Sequence, residues 1–344
     1  MRKQTLKGLA VGLVAVVGLA ACGSSSSSDT TVAAGAAGLA CEVTDTGGVD
    51  DKGFNQIAHE GLLQAETELG VTTDLLESTT DADYAPNLQS FVDKGCNVIV
   101  TVGFLLADAT KAAAEANPTV QFAIVDSNTS APNVQGLTFA TDQPSFLAGY
   151  MAAATTKSGI VGTFGGINIP PVATFMQGFA KGVEYYNAQK GTSVKVLGWD
   201  IAKQDGTFSG DFSDQTKGTS IAKSMADEGA DIIFPVAGPV GLGASQFAMD
   251  SAGKVKIIGV DVDMAVSNPT QAEVYVASVL KKIDAAVLQA VKDALAKTGG
   301  GTDYLGTLEN GGVGVSITST ITPELQAELD AVTAGIIDGS IVTK

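Results

Sequence analysis

The stretch TDTGGVDDKGFNQ, Thr44–Gln56, joins a strand-like run to a helix-like run. The preceding run begins at Cys41 with CEVTDTG, and the residues from about 54 to 69 repeat apolar side chains at a loose helical spacing. Glycines and aspartates fill the turn between them, which is typical of the connection from a strand to a helix. The stretch therefore predicts a strand–turn–helix unit, and it places an aromatic ring, Phe54, on a polar turn.

The rest of the chain repeats this alternation in two rounds. Strand-like runs in the first round are TTDLLES, NVIVTVG, QFAIVD and VQGLTFA, and those in the second are GIVGTFGG, SVKVLGW, DIIFPVAG and KIIGVDVD. Continuous Val and Ile runs indicate strands covered on both faces. Two rounds predict two α/β lobes with parallel sheets. We expect residues 39–140 plus about 263–300 in the first lobe, and about 141–262 plus 301–344 in the second.

The N-terminus has the pattern of an export signal. Residues 1–22 read MRKQTLKGLAVGLVAVVGLAAC, with a basic start and an apolar run that is too short to span a membrane. Small residues before Cys22 resemble the lipobox of bacterial lipoproteins. We predict a signal peptide at 1–21, lipid attachment at Cys22 and a flexible Ser/Gly/Ala-rich tether at 22–38. An ordinary secretory signal is the alternative.

Composition limits the partners. The chain has 45% hydrophobic and 17% charged residues and a net charge of −17, which argues against nucleic acid and anionic membrane surfaces. Cys41 and Cys96 each open a strand, and these strands are neighbours in a doubly wound sheet. An exported protein folds in an oxidising compartment, so a disulfide is expected. Two buried thiols are the alternative.

Few residues suit catalysis. His59 is the only histidine, and we expect it on the solvent face of its helix. Metal sites built on His and Cys are therefore excluded by count, and neither a nucleophile elbow nor a phosphate loop occurs. Paired acids, as in glycoside hydrolysis, remain open because aspartate is plentiful. The sequence predicts a protein that is not an enzyme and that has no cofactor or metal.

The turns after the strands are the places to look for a ligand, because ligands of open α/β sheets bind beyond the carboxyl ends of the strands. These turns are rich in Gly, Asp and Phe. Phe54 and Phe212 could stack on a flat ligand, although either ring could instead cover a lobe core. Asp45 and Asp261 could accept hydrogen bonds from it, or cap helices.

Several of these segments together resemble the basic membrane protein family, which comprises lipoprotein substrate-binding components of ABC transporters. They are DTGGVDDKGFNQIAHEGL, SFLAGYMAAATTKSGIVGTFGGINIPPVATFMQGFAKGVEYYN, GDFSDQTKGTSIAKSMADEGADIIFPVAGPVGLG, IIGVDVD and SVLKKIDAAV, in that order. The resemblance covers about residues 40–300. It implies the α/β fold of a type I periplasmic binding protein, with two Rossmann-like lobes, parallel sheets and a hinge.

The resemblance also implies a ligand and its contacts. Characterised members bind nucleosides, and purines are favoured here. Phe54 and Phe212 match aromatics on opposite faces of the base, and Asp261 matches the carboxylate that grips the ribose hydroxyls. The other implied contacts are Asp45 and Asn55 at the base, Gly238 through its backbone, Lys281 near the sugar, and Asp126 and Gly103 along the same edge.

The expected function is therefore capture of a nucleoside between two lobes and delivery to an ABC transporter permease. The protein is expected to be a monomer, held by its lipid at the extracytoplasmic face of the cell membrane. A sugar- or signal-molecule-binding protein of the same fold is the main alternative. A nucleoside hydrolase and a surface adhesin are alternatives from other classes.

Overall fold

In a computed structural model, which describes residues 38–344, the first segment folds into parallel strands with helices on both faces. The predicted signal peptide, Cys22 and all but the last residue of the tether lie outside the described residues. The turn at Thr44–Gln56 connects the first strand to the first helix, as its sequence indicates. The elements are β1 (Leu39–Thr44), α1 (Phe54–Leu69), β2 (Thr72–Leu76), α2 (Tyr84–Lys94), β3 (Val98–Val102), α3 (Ala107–Ala116), β4 (Gln121–Val125) and β5 (Val134–Phe139).

The second segment builds a separate sheet by the same alternation. Its central strands are apolar and buried on both faces, and small residues on the helices allow close packing. The elements are α4 (Asp142–Thr155), β6 (Ile160–Gly165), α5 (Pro170–Lys190), β7 (Lys195–Leu197), β8 (Trp199–Asp200), β9 (Asp205–Gly206), α6 (Gln215–Asp227), β10 (Ile232–Val236), α7 (Pro239–Asp250), β11 (Lys256–Asp261), α8 (Met264–Ser267) and β12 (Tyr275–Lys281).

The third segment returns to the first lobe and then crosses back. Its helix α9 (Ile283–Ala296) packs on α1, and its strand β13 (Asp303–Gly306) pairs with β5. Strand β14 (Val313–Ile317) pairs antiparallel with β12, and α10 (Pro323–Ile337) packs on α4. The chain thus crosses between the lobes three times, after β5, after β12 and after β13.

The predicted lobe boundaries need correction at two of these crossings. The first crossing follows β5, near residue 140. The second follows Lys281 rather than residue 262, because the apolar run at 275–281 pairs with β11 and stays in the second sheet. The third follows Gly306 rather than residue 300, because β13 pairs with β5 in the first sheet.

The two sheets share one strand order. The first runs β2-β1-β3-β4-β5-β13 and the second β7-β6-β10-β11-β12-β14. In each sheet the strand order changes direction at one point, which lies between β1 and β3 in the first sheet and between β6 and β10 in the second. Such switch points open a crevice at the carboxyl ends of the strands. The fold therefore places two crevices, one from each lobe, where a ligand can lie.

A disulfide joins β1 to the residues before β3, toward the amino ends of these two strands. Cys41 on β1 and Cys96 just before β3 are bonded, with their Cα atoms 6.1 Å apart. Both residues are buried in the core under α2 and α3. Residues 38–344 include no helix that is both long enough and apolar enough to span a bilayer.

Candidate ligand-binding site

A cavity lies between the lobes at the carboxyl ends of both sheets. It encloses about 580 Å³ of space free of protein atoms, counted with its opening to solvent. All nine ligand-binding residues implied by the resemblance line it: Asp45, Phe54, Asn55, Gly103, Asp126, Phe212, Gly238, Asp261 and Lys281.

The turn before α1 presents the first-lobe aromatic. Asp51 is buried, and its carboxylate accepts hydrogen bonds from the backbone N–H groups of Gly53, Asn55 and Gln56 at 2.9–3.1 Å. These bonds satisfy the free donors at the start of the helix. Phe54 is consequently held at the first position of α1, at the edge of the cavity.

Asp45 directly follows β1 and lines the cavity together with Asn55. Its Oδ1 accepts a hydrogen bond of 3.1 Å from Asn55 Nδ2, and both side chains are buried. Gly103, after β3, has a φ of +117°, and a Cβ there would lie 2.3 Å from Asp45 Oδ2. Only glycine therefore leaves room for this carboxyl group.

A buried lysine connects the two lobes. Lys281 ends β12 in the second lobe and is 1% exposed. Its Nζ donates to Asp126 Oδ2 of the first lobe at 2.6 Å and lies 3.8 Å from Asp261 Oδ1 of the second. The same Nζ lies 4.7 Å from the centre of the Phe54 ring, within the range of a cation–π contact. Lys281 is thus fixed at the centre of the site.

The second lobe contributes the other aromatic wall. Phe212 lies against Gly166, where an added Cβ would lie 2.2 Å from the ring. The loop after β6 therefore requires glycine at this position. Gly238 begins α7 with a φ of +50°. Phe208, the other aromatic of this loop, instead packs edge-on against Trp199, with ring centroids 6.5 Å apart.

Burial changes the acidity of two of these carboxyl groups. Desolvation raises the pKa of Asp45 to about 8, an effect that the hydrogen bond from Asn55 partly opposes. Desolvation also raises the pKa of Asp261 to about 6, against the attraction of Lys281. Asp261 Oδ1 is buried and has no hydrogen-bond partner among residues 38–344. This oxygen is a vacant acceptor that a hydroxyl group could fill.

Sequence reasoning missed several lining residues. Phe104 directly follows Gly103, and Asp51 lies in the turn Thr44–Gln56, so both could have been predicted from their neighbours in the sequence. Phe175 belongs to α5 of the second lobe, and nothing in its sequence neighbourhood separates it from a core residue. Within residues 38–344, no group of three or more His, Cys, Asp or Glu side chains is arranged to hold a metal ion.

The expectation for His59 was wrong. Its side chain is only 22% exposed, and Nδ1 lies 3.6 Å from Oε1 of Glu42, a fully buried acid on β1. The nearby acid raises the pKa of His59, while burial raises the pKa of Glu42. The periodicity of α1 could not reveal a buried acid on the adjacent strand. The pair lies under α1, apart from the cavity lining.

Two doubly wound lobes, joined by three chain crossings and with a ligand-sized cavity between them, are the architecture of the type I periplasmic binding fold. The chain belongs to the basic membrane protein family. The family model described as "ABC transporter substrate-binding protein PnrA-like" matches residues 39–344. The protein is therefore a substrate-binding component of an ABC transporter, with a ligand and a transporter as partners.

Similar proteins agree with this placement. The chain is 33% identical to the "ABC transporter nucleoside-binding protein BmpA" of Lactococcus lactis, over 99% of each chain. It is 32% identical to "Basic membrane protein A" of Borreliella burgdorferi, over 86% of this chain and 85% of that one. A solved solute-binding protein of an ABC transporter system from Aeropyrum pernix superposes with a TM-score of 0.77 at 26% identity, covering 89% of this chain and 93% of that one.

Proposed function

We propose that this protein captures a nucleoside, with purines favoured, between its two lobes and delivers it to the permease of an ABC transporter. The observation that carries the proposal is the meeting of Phe54 from the first lobe and Phe212 from the second in one cavity. A base stacked on aromatic side chains gains about 1–3 kcal/mol per contact, whatever its identity. The relative named as a nucleoside-binding protein adds support.

The polar groups fit the remaining parts of a nucleoside. Asp45 and Asn55 offer hydrogen-bonding groups to the edge of the base. Asp261, with its vacant oxygen, and Lys281 suit the ribose hydroxyls. Asp51 and the other acids in the lining outnumber the single lysine, so a phosphate group would meet like charge. The site therefore favours a nucleoside over a nucleotide.

Capture proceeds by closure of the lobes and involves no bond making or breaking. Contacts to one lobe can form in the open state, whereas contacts to the second form only on closure, so the ligand shifts the hinge equilibrium. The three crossings are the segments that absorb this motion. We further propose that the protein is a monomer attached through a lipid on Cys22, with residues 22–38 as the tether, at the extracytoplasmic face of the membrane.

Isothermal titration calorimetry tests the proposal. Purified protein is titrated with adenosine, guanosine, inosine and pyrimidine nucleosides, beside pentoses and hexoses. Binding of nucleosides and not of sugars is expected. Binding of sugars alone would establish the alternative ligand class, and release of free base on long incubation, seen by chromatography, would indicate a hydrolase. Native mass spectrometry of the untreated protein checks for ligand carried through purification.

A pair of aromatic variants tests the stacking. Phe212→Ala is expected to weaken nucleoside binding by about 5- to 150-fold, the equivalent of about 1–3 kcal/mol. Phe208→Ala is the matched control, because this ring packs against Trp199. Equal loss of affinity in both variants would show that Phe212 acts only through the shape of its loop.

A further inference from the structure

A second cavity adjoins the first at the sugar end of the proposed site. It encloses about 730 Å³ of space free of protein atoms, counted with its opening. The two cavities share Phe104, Asp126, Pro171 and Lys281 in their linings, so they are direct neighbours that meet at these side chains. We call this second space the side chamber. Nothing in the proposed nucleoside contacts fills it.

Both lobes build the walls of the side chamber. Ser127 and Asn128 follow β4 and Thr138 is the second-last residue of β5, all in the first lobe. Pro170 and Thr174 come from the start of α5 in the second lobe. Apart from the shared ion pair, these groups are hydroxyl, amide and apolar. The chamber therefore closes together with the main cavity and offers an uncharged surface.

The start of α5 makes this chamber a poor site for a phosphate. Helix N-termini hold anions through free backbone N–H groups. Here Pro170 and Pro171 occupy the first two positions and supply none. The nearest cation, Lys281, already donates to Asp126. A neutral group is thus the chemistry that the chamber fits.

We propose that the side chamber receives an uncharged substituent on C5′ of the ligand, so that the protein also carries 5′-substituted nucleosides such as thioethers. The inference rests on the proposed function. With the base between the two aromatic rings and Asp261 holding the 2′- and 3′-hydroxyls, C5′ is the sugar position from which a group can extend past Lys281. The substituent then lies between the hydroxyl-bearing wall of the first lobe and the start of α5.

Calorimetry with three ligands tests this inference. The ligands are adenosine, 5′-deoxy-5′-methylthioadenosine and adenosine 5′-monophosphate. The thioether is expected to bind at least as tightly as adenosine, with up to about fourfold gained per methylene-sized group buried. The monophosphate is expected to bind at least about tenfold more weakly. Binding of adenosine without the thioether would overturn the chamber alone, whereas failure of every nucleoside would overturn the proposed function.

Variants that fill the side chamber test the inference in a second way. Thr174→Trp is expected to weaken thioether binding by about tenfold more than adenosine binding. Thr67→Trp is the control, because both threonines lie on helices and donate to the carbonyl oxygen four residues earlier, while Thr67 is exposed and lines neither cavity. Should Thr174→Trp fail to fold, Asn128→Trp fills the chamber from the opposite, exposed wall. Equal losses for both ligands in these variants would contradict the proposal.

Discussion

Lys281→Met removes the buried cation that contacts Asp126 and Asp261, and its cost can be estimated from the structure. Lys281 is buried, with Asp126 Oδ2 at 2.6 Å and Asp261 Oδ1 at 3.8 Å. Methionine has a similar length, and the surroundings of Nζ include the rings of Phe54 and Phe175. The variant therefore creates little empty space and chiefly leaves two buried carboxylates uncompensated.

Removing one partner of a buried ion pair typically costs about 3–5 kcal/mol. We expect about 3 kcal/mol at pH 7.5, because Asp126 is 11% exposed and can turn toward water. Burial already raises the pKa of Asp261 to about 6, although the attraction of Lys281 opposes this effect. Loss of the lysine therefore raises the pKa of Asp261 further. A raised pKa favours the folded state at low pH. The deficit should therefore shrink as the pH falls toward 5.

Urea denaturation followed by circular dichroism and by fluorescence of Trp199, the only tryptophan, measures this effect. Lys203→Met is the control, since its ion pair with Asp200 is exposed to solvent and contributes little to stability. The double variant Lys281→Met/Asp126→Asn should recover part of the loss. A Lys281→Met protein as stable as Lys203→Met at pH 7.5 would refute the reasoning.

Three further perturbations follow from the site and its surroundings. Burial raises the pKa of Asp45 to about 8, so stability without ligand should decline by up to about 1.4 kcal/mol per unit as the pH rises from 6 to 8, and Asp45→Asn should flatten this slope in urea denaturation. Gly103→Ala, whose Cβ would meet Asp45, should weaken nucleoside binding in calorimetry by at least about tenfold, whereas Gly95→Ala, with φ +84° and open space, should leave affinity unchanged. Removing the disulfide in Cys41→Ala/Cys96→Ala should cost about 4 kcal/mol for a separation of 55 residues without changing affinity; weaker binding by the folded variant would contradict this.

Much of the fold could be predicted because strands, turns and helices alternate and their boundaries are marked by characteristic residues. Glycines end helices at Gly70, Gly95 and Gly191, each in the left-handed region, and buried strands read as Val and Ile runs. Strand β12 was missed because its apolar run continues directly into the helical pattern of α9. A crossing of one residue, Lys282, leaves no composition signal, so only strand pairing reveals where the lobe boundary falls.

The site could be predicted where its residues follow strands, and less well elsewhere. Asp45, Gly103, Asp126 and Asp261 all come at or just after the carboxyl end of a parallel strand, which is where such folds bind ligands. Phe175 lies on a helix that approaches from the other lobe. Its position depends on how two separately folded sheets meet, and local periodicity carries no information about that.

The position of Lys281 connects the chemistry of the site to the hinge. It is the last residue of β12, immediately before the second crossing, yet its ammonium bonds to Asp126 in the other lobe. The ion pair therefore joins the two lobes beside the second crossing, one of the segments that we propose to absorb their closure. A ligand hydroxyl that bonds to Asp261 draws on the same cation, because Lys281 already approaches that carboxylate. Closure and ligand binding consequently depend on one buried charge, and the lobes can recognise a neutral ligand without bringing a second cation into the cavity.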